Sequence, residues 1–142
     1  MGMVYADITL KNANDVINAG NGLIEDREIR ETAVRALVDT GATTLIISEE
    51  IREKLGLKVK GLKEVKMANE AKETARITEP VDIIWKGRET SCRALALSGW
   101  GEVLLGAIPL EDMDLIVDPV NLELAGAHGD DIVMQLVGVT YS

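Results

Sequence analysis

A single acidic turn between two apolar segments constrains this chain more than any other feature of its sequence. Asp39-Thr40-Gly41 directly follows the mostly apolar run 33–38, and β-branched and apolar residues resume over 43–47. Both runs have the composition of buried strands, and Asp and Gly are typical turn residues. A carboxylate between buried strands must be hydrogen-bonded, paired or protonated, because an isolated buried charge is costly. The same demands tune a carboxyl group for acid–base catalysis.

The composition is that of one folded domain, which we expect to cover residues 1–142. Hydrophobic residues make up 46% of the chain and charged residues 27%, both ordinary fractions for a globular protein. No apolar run approaches the roughly 20 residues that a membrane helix needs. The N-terminal residues also lack the basic-then-apolar pattern of a signal peptide. We therefore expect a cytoplasmic protein with no membrane partner.

Charge and residue counts argue against several other classes of function. The net charge of −9 repels phosphate backbones, and an aromatic content of 3% without Phe leaves few stacking platforms, so nucleic acid is not an expected partner. The single cysteine, Cys92, excludes an intrachain disulfide and is expected to pack in a strand. The single histidine, His128, lies in a polar loop where we expect it to be solvated. We predict no metal site and no cofactor.

The residue pattern predicts many short strands and one short helix. Ser48 is a suitable N-cap for a helix that presents Ile51 and Leu55 on one face and ends at Gly56. The segment 12–26 contains Asn-Ala-Gly-Asn-Gly and is predicted to be a turn-rich connection. Residues 109–113 are a candidate for a single helical turn. The predicted strands cover 4–10, 28–38, 43–47, 57–59, 62–68, 73–78, 81–85, 90–97, 103–105, 115–117, 122–124 and 132–137. This pattern favours an all-β, closed barrel-like domain.

Three features occur in a fixed order along this chain. The acid turn at 39–41 is followed by a candidate hairpin around Asn69-Glu70-Ala71-Lys72, and then by Leu104-Leu105-Gly106 next to the short helical turn. Their order and separations resemble the retropepsin-like (retroviral-type) aspartic proteases. The residues 37–43, Ile46-Ile47-Ser48 and Leu55-Gly56-Leu57 are also similar to small bacterial members. The resemblance extends over about residues 4–117.

The resemblance implies an aspartic endopeptidase of retropepsin fold, with one domain per chain. Such enzymes need one ionised and one neutral carboxyl group, yet this chain has a single Asp-Thr-Gly. A homodimer would bring two copies of Asp39 together at a two-fold axis, where they would share a proton and act on a peptide or protein substrate. Thr40 would brace the facing turns, and Gly41 would allow close approach of its amide and an unusual φ.

Other site residues follow from the same resemblance. Leu104, Leu105 and Gly106 would pack beneath the acid turn, with Gly106 permitting a close chain crossing. The segment 67–74 would be the flap over the substrate, and the substrate-binding residues would be Ala42, Met67, Ala68, Asn69, Glu70 and Ala71. The flap tip has no glycine, unlike typical retroviral flaps. The connection 12–26 and the tail after Pro119 are longer than in compact viral members. Residues 132–137 are a candidate strand for a dimer sheet.

Alternatives remain open at the level of sequence. The same fold could serve a non-catalytic domain that binds extended peptides or proteins. Asp39 could also make only a turn hydrogen bond in a structural β-barrel subunit. Leu104-Leu105-Gly106 alone is typical of an ordinary core strand. Trp85 and Trp100 are either core or interface residues, and the sequence does not distinguish these roles.

Overall fold

The computed structural model describes residues 2–129 and the backbone of two short strands, 135–136 and 139–140. Three short α-helices are present in this part of the chain: α1 (Ala13–Gly20), α2 (Glu49–Lys54) and α3 (Ala107–Asp112). A 3-10 turn covers Asp26–Glu28. The strands are β1 (Tyr5–Asn12), β2 (Glu31–Val38), β3 (Leu45–Ser48), β4 (Val59–Lys66), β5 (Lys72–Trp85), β6 (Arg88–Leu97), β7 (Val103–Leu105), β8 (Leu115–Asp118), β9 (Glu123–Gly126), β10 (Gln135–Leu136) and β11 (Val139–Thr140).

Six of these strands close into a barrel, which confirms the predicted all-β, barrel-like fold. Their order is β1-β2-β7-β3-β6-β5, and β5 returns to pair with β1 through Thr9–Ile84 and the three following pairs. Strand β4 pairs with β5 and forms a hairpin with it. Closure removes free edges from the barrel strands, so their backbone groups are satisfied within the domain.

The core fills the barrel with small and branched side chains from all six strands. Alternation along each strand sends every second side chain inward, as the burial pattern of β1 shows. The inward residues of the barrel strands include Ile8, Leu10, Ala36, Leu45, Ile47, Val81, Ile83, Ala94, Ala96 and Leu105, each at most 2% exposed. Burial of this kind stabilises a domain by about 25 cal/mol per Å² of apolar surface.

Helix α2 forms as its sequence predicts. Ser48 precedes it, and the Ser48 hydroxyl accepts a hydrogen bond from the Ile51 N–H at 3.1 Å. The chain leaves the helix through Gly56, which has a φ of +64°. Capping and a left-handed glycine therefore set the ends of this helix.

One short helix was predicted, but the described residues form three. The segment 12–26, predicted as a turn-rich connection, contains one of them, α1. The Asn12 side chain accepts a hydrogen bond from the Asp15 N–H at 3.1 Å and donates one to the Leu55 carbonyl at 2.8 Å. Asp15 in turn binds the Arg30 guanidinium through two hydrogen bonds of 2.8 and 3.0 Å. These long-range contacts stabilise a segment whose Asn and Gly content disfavours a helix.

Both predicted hairpins are present, with longer strands than expected. The ranges 73–78 and 81–85 belong to one strand, β5, which passes through a register shift between Ile77 and Pro80. Thr78 is fully buried at this irregularity, where its hydroxyl donates to the Glu79 carbonyl and accepts from the Ala94 N–H. Pro80 has no N–H to donate to the hydrogen-bond ladder, and a bulge is one of the few positions in a sheet where this is tolerated.

The region after the barrel is a separate two-stranded sheet of β8 and β9. Of the candidate dimer-sheet segment 132–137, only Gln135–Leu136 is described, paired with Val139–Thr140; the rest lies outside the described residues. Within the described chain, no helix has both the length and the apolar character that membrane crossing requires.

Candidate active site

The acid turn is held by backbone hydrogen bonds to the segment that follows β7. Strand β7 lies between β2, to which it is parallel, and β3, to which it is antiparallel. The Asp39 N–H donates to the Leu105 carbonyl at 3.0 Å, while the Ala107 N–H donates to the Ala42 carbonyl at 2.8 Å. The Ile108 N–H donates to the Thr43 carbonyl at 2.9 Å. The turn is therefore a fixed platform despite its exposed tip.

Gly106 is required where the two segments cross. A Cβ on Gly106 would lie 2.3 Å from the Thr44 carbonyl oxygen and 2.6 Å from that of Ala42. Both neighbours are backbone atoms, so a larger side chain could not be accommodated by a rotamer change. The prediction that Gly106 permits a close chain crossing beneath the acid turn is confirmed.

One carboxylate oxygen of Asp39 is engaged within the turn. The Gly41 N–H donates to Asp39 Oδ1 at 2.9 Å, and the Ala42 N–H donates to the Asp39 carbonyl at 3.0 Å. Within residues 2–129, Asp39 Oδ2 accepts no hydrogen bond. Asp39 is half-buried, whereas Thr40 and Gly41 are exposed. The turn thus orients one carboxylate through one of its two oxygens.

The expectation of an unusual φ at Gly41 was wrong. Gly41 does not have a positive φ. Its constraint is steric, since a Cβ at this position would lie 3.1 Å from Asp39 Oδ1. Close approach of the amide to the carboxylate, the other role assigned to Gly41, is present in the 2.9 Å hydrogen bond.

The tip of the β4–β5 hairpin is a tight turn over residues 67–71. The Met67 N–H donates to the Ala71 carbonyl at 2.8 Å, and the Glu70 N–H donates to the Met67 carbonyl at 2.9 Å. Asn69 Oδ1 accepts from the Ala71 N–H at 3.0 Å. Glu70 has a φ of 69°, so a non-glycine residue occupies the left-handed position where retroviral-type flaps would favour glycine.

A cavity of about 410 Å³ lies between this tip and the loop 98–102 that leads into β7. It brings together four of the predicted substrate-binding residues, Met67, Ala68, Asn69 and Ala71. Among the described residues, neither Glu70 nor Ala42 lines it. Its other lining residues are Glu73, Leu97, Ser98, Gly99 and Trp100.

The wall formed by Leu97–Trp100 was missed at the level of sequence. Trp100 stood out only as one of two tryptophans, and the flanking glycines, Gly99 and Gly101, were the available signal. This Gly-Trp-Gly sequence places a large ring between two glycines just before the run 104–106.

The other nucleophilic and basic side chains lie elsewhere. Burial raises the pKa of the Cys92 thiol, which also lies 3.7 Å from the Thr44 hydroxyl, so Cys92 is a packed and poorly nucleophilic residue. His128 is half-exposed, with its Nδ1 2.8 Å from Asp114 Oδ2. Neither residue is placed to act with Asp39 within the described structure.

Fold and site together define a retropepsin-like architecture. A family model described as "gag-polyprotein putative aspartyl protease" matches residues 26–112, a range that contains the acid turn, the β4–β5 hairpin and Gly106. The chain therefore belongs to this retropepsin-like family. A comparison with curated protein sequences gives no significant match.

Solved structures with similar folds include a retroviral protease-like domain and a retropepsin-like aspartic protease. The retroviral protease-like domain of Ddi1 from Leishmania major is 16% identical, with 93% of this chain and 91% of that chain covered and a TM-score of 0.55. A retropepsin-like aspartic protease from Rickettsia conorii is 17% identical, with 82% and 77% covered and a TM-score of 0.48. At this identity the first similarity supports the fold alone.

Proposed function

We propose that this protein is an aspartic endopeptidase that works as a homodimer, with one active site built from two copies of Asp39. The observation that carries the proposal is the acid turn itself. Its backbone is fixed on the β7 segment, and one carboxylate oxygen is engaged by Gly41. A single carboxylate in this arrangement has half of the acid–base apparatus that peptide hydrolysis requires.

Exposed apolar side chains next to the acid turn support the proposal that a second chain packs against this face. Ile108, whose N–H is bonded to Thr43, is 52% exposed. Met3 is 68% exposed and adjoins Val4, whose carbonyl accepts from the Val38 N–H at 2.8 Å. An obligate interface of on the order of 2,000 Å² or more would cover such side chains. The exposed Thr40 would then lie at the interface and brace the facing turns.

The reaction follows from two carboxyl groups in contact, which together hold one proton. The ionised Asp39 takes a proton from a water molecule, and the water oxygen attacks the carbonyl carbon of the scissile peptide bond. The protonated Asp39 of the partner chain donates to the carbonyl oxygen. Collapse of the tetrahedral intermediate breaks the C–N bond: the first Asp39 gives the proton that it took from water to the leaving amine, and a hydroxyl of the intermediate returns a proton to the partner's Asp39. The flap tip would supply backbone groups to the extended substrate.

Hydrolysis of a mixed peptide library from acidic to neutral pH tests the proposal. Asp39→Asn should abolish cleavage, because acid–base catalysis of this kind contributes roughly 10²–10⁴ in rate. Asp7→Asn is a matched control, since Asp7 is an exposed strand carboxylate and should leave cleavage unchanged. Cleavage that survives Asp39→Asn would overturn the proposal. Binding of peptides without turnover at every pH would favour the non-catalytic peptide-binding alternative.

A further inference from the structure

The indole N–H of Trp100 is buried without a hydrogen-bond partner. Among the described residues it is the only buried side-chain nitrogen or oxygen in this state. Buried polar groups are nearly always paired, and an unpaired donor is costly to maintain. Such a group in a folded protein therefore calls for an acceptor that the isolated chain does not supply.

The position of Trp100 indicates what that acceptor is. Trp100 lines the cavity of about 410 Å³ on the side opposite the flap tip, facing Met67, Ala68, Asn69 and Ala71. Most of the exposed lining is apolar, and polar anchors in such cavities fix the orientation of a ligand. An indole N–H on a residue that lines this cavity is suited to a peptide carbonyl oxygen, because extended peptides present a carbonyl at every residue.

The loop that carries Trp100 has the freedom to bring its N–H into contact with a ligand. Gly99 has a φ of +70°, and a Cβ at either Gly99 or Gly101 would meet no atom within 4 Å. The flap tip lacks glycine, so the two glycines that flank Trp100 place the most adaptable backbone of the cavity in the opposite wall. In the conformation described here, solvent does not reach Trp100 Nε1, so pairing accompanies a movement of this loop or of the flap.

We infer that Trp100 is a substrate-binding residue, whose indole N–H donates a hydrogen bond to a backbone carbonyl of an extended peptide bound under the flap. This role rests on the proposed function for the identity of the ligand as a peptide. It adds a side-chain anchor to a cleft in which the flap supplies backbone groups.

The test uses full-length protein carrying Asp39→Asn, so that peptides bind without being cut, and a mixed library of capped extended peptides. The best-binding peptide is added to protein labelled with ¹⁵N-tryptophan, which gives two indole N–H signals; Trp85→Phe assigns them. We expect the Trp100 signal to move downfield on peptide binding and the Trp85 signal to stay in place. Trp100→Phe should weaken binding about tenfold or more, since a peptide carbonyl is left unpaired. Trp85→Phe should change it less than about twofold.

The outcomes separate this inference from the proposed function. An unmoved Trp100 signal at saturating peptide, or a Trp100→Phe protein that binds as well as its parent, overturns the role of Trp100 whether or not the wild type cleaves. A moved signal in a protein whose wild type never cleaves leaves the role intact and overturns the endopeptidase. Failure of every peptide to bind overturns both.

Discussion

At the scale of single residues, Gly106 shows how a catalytic-type turn depends on a position that performs no chemistry. The acid turn is fixed because its backbone lies against that of Gly106, and this proximity leaves no room for a side chain. Protein interiors are packed densely, so an added methyl group in contact with fixed backbone must separate the two segments. Separation would weaken the hydrogen bonds that orient Asp39.

Gly106→Ala should therefore destabilise the protein by about 3 kcal/mol, the upper part of the range for overpacking substitutions. Urea denaturation followed by circular dichroism measures this change. Gly101→Ala is the matched control, because a Cβ there would meet no atom within 4 Å and the φ of Gly101 is not positive. Its effect should stay within about 0.5 kcal/mol. Equal stability of the two variants would show that the contact between Gly106 and the backbone of residues 42–44 has room for a methyl group.

Sequence could predict the site residues in two ways. Asp39 stands out because a turn acid between two apolar runs is unusual. The role of Gly106 was expected only from the resemblance to retropepsin-like proteases, because its contacts with residues 42–44 are distant in the chain. The role inferred for Trp100 could not be predicted from the sequence, because the surroundings of its indole N–H depend on how the β4–β5 hairpin and the loop 98–102 pack. Gly41 was assigned an unusual φ, whereas the structure shows a steric constraint, because a Cβ there would lie 3.1 Å from Asp39 Oδ1.

At the scale of elements, α1 is the part of the fold that depends most on distant contacts. The Arg30 guanidinium and backbone hold the pKa of the Asp15 carboxyl below its usual range, against the opposing effect of burial. A lowered pKa means that the ionised carboxylate stabilises the folded state. This contribution is present above the unfolded-state pKa near 3.8 and is lost as pH falls through the lower folded-state value.

Asp15→Asn should accordingly cost about 1–2 kcal/mol near neutral pH, a modest value because the Arg30 side chain is half-exposed and screened by solvent. The difference in unfolding free energy between wild type and variant should narrow as the pH falls below about 4. Urea denaturation at several pH values measures it. Asp7→Asn, at an exposed strand carboxylate, serves as the control for the substitution itself. A difference that stayed constant from neutral to acidic pH would contradict the ionic origin.

Whether the contacts that stabilise an element are local or distant in the chain explains which elements the sequence could predict. Strands β1, β2 and β3 and helix α2 carry their own signals, in alternation and in the Ser48 cap, and these appear in the structure close to their expected places. Helix α1 has a local N-cap in Asn12, but Asn12 and Asp15 also bind Leu55 and Arg30, and the sequence does not reveal these distant partners. Long-range pairing overrides local propensity at such sites.

At the scale of the whole molecule, the proposed reaction requires that two chains contribute equal halves of one site. Each chain supplies a single Asp-Thr-Gly, and the face around it exposes apolar side chains such as Ile108. A closed two-fold dimer buries the same surface of both chains, so the two copies of Asp39 must approach as a pair. An inactive chain would then disable any active partner with which it assembled.

Mixing wild-type and Asp39→Asn chains measures this dependence directly. When equal amounts are unfolded together and refolded, random pairing leaves about one quarter of the dimers with two intact acids, so cleavage should fall to about one quarter of that of the same total amount of wild type. Chains that act singly would instead retain about half. Differently tagged chains verify that pairing is random, and an Asp7→Asn mixture controls for refolding losses. A residual activity near one half would show that each Asp39 works without a partner.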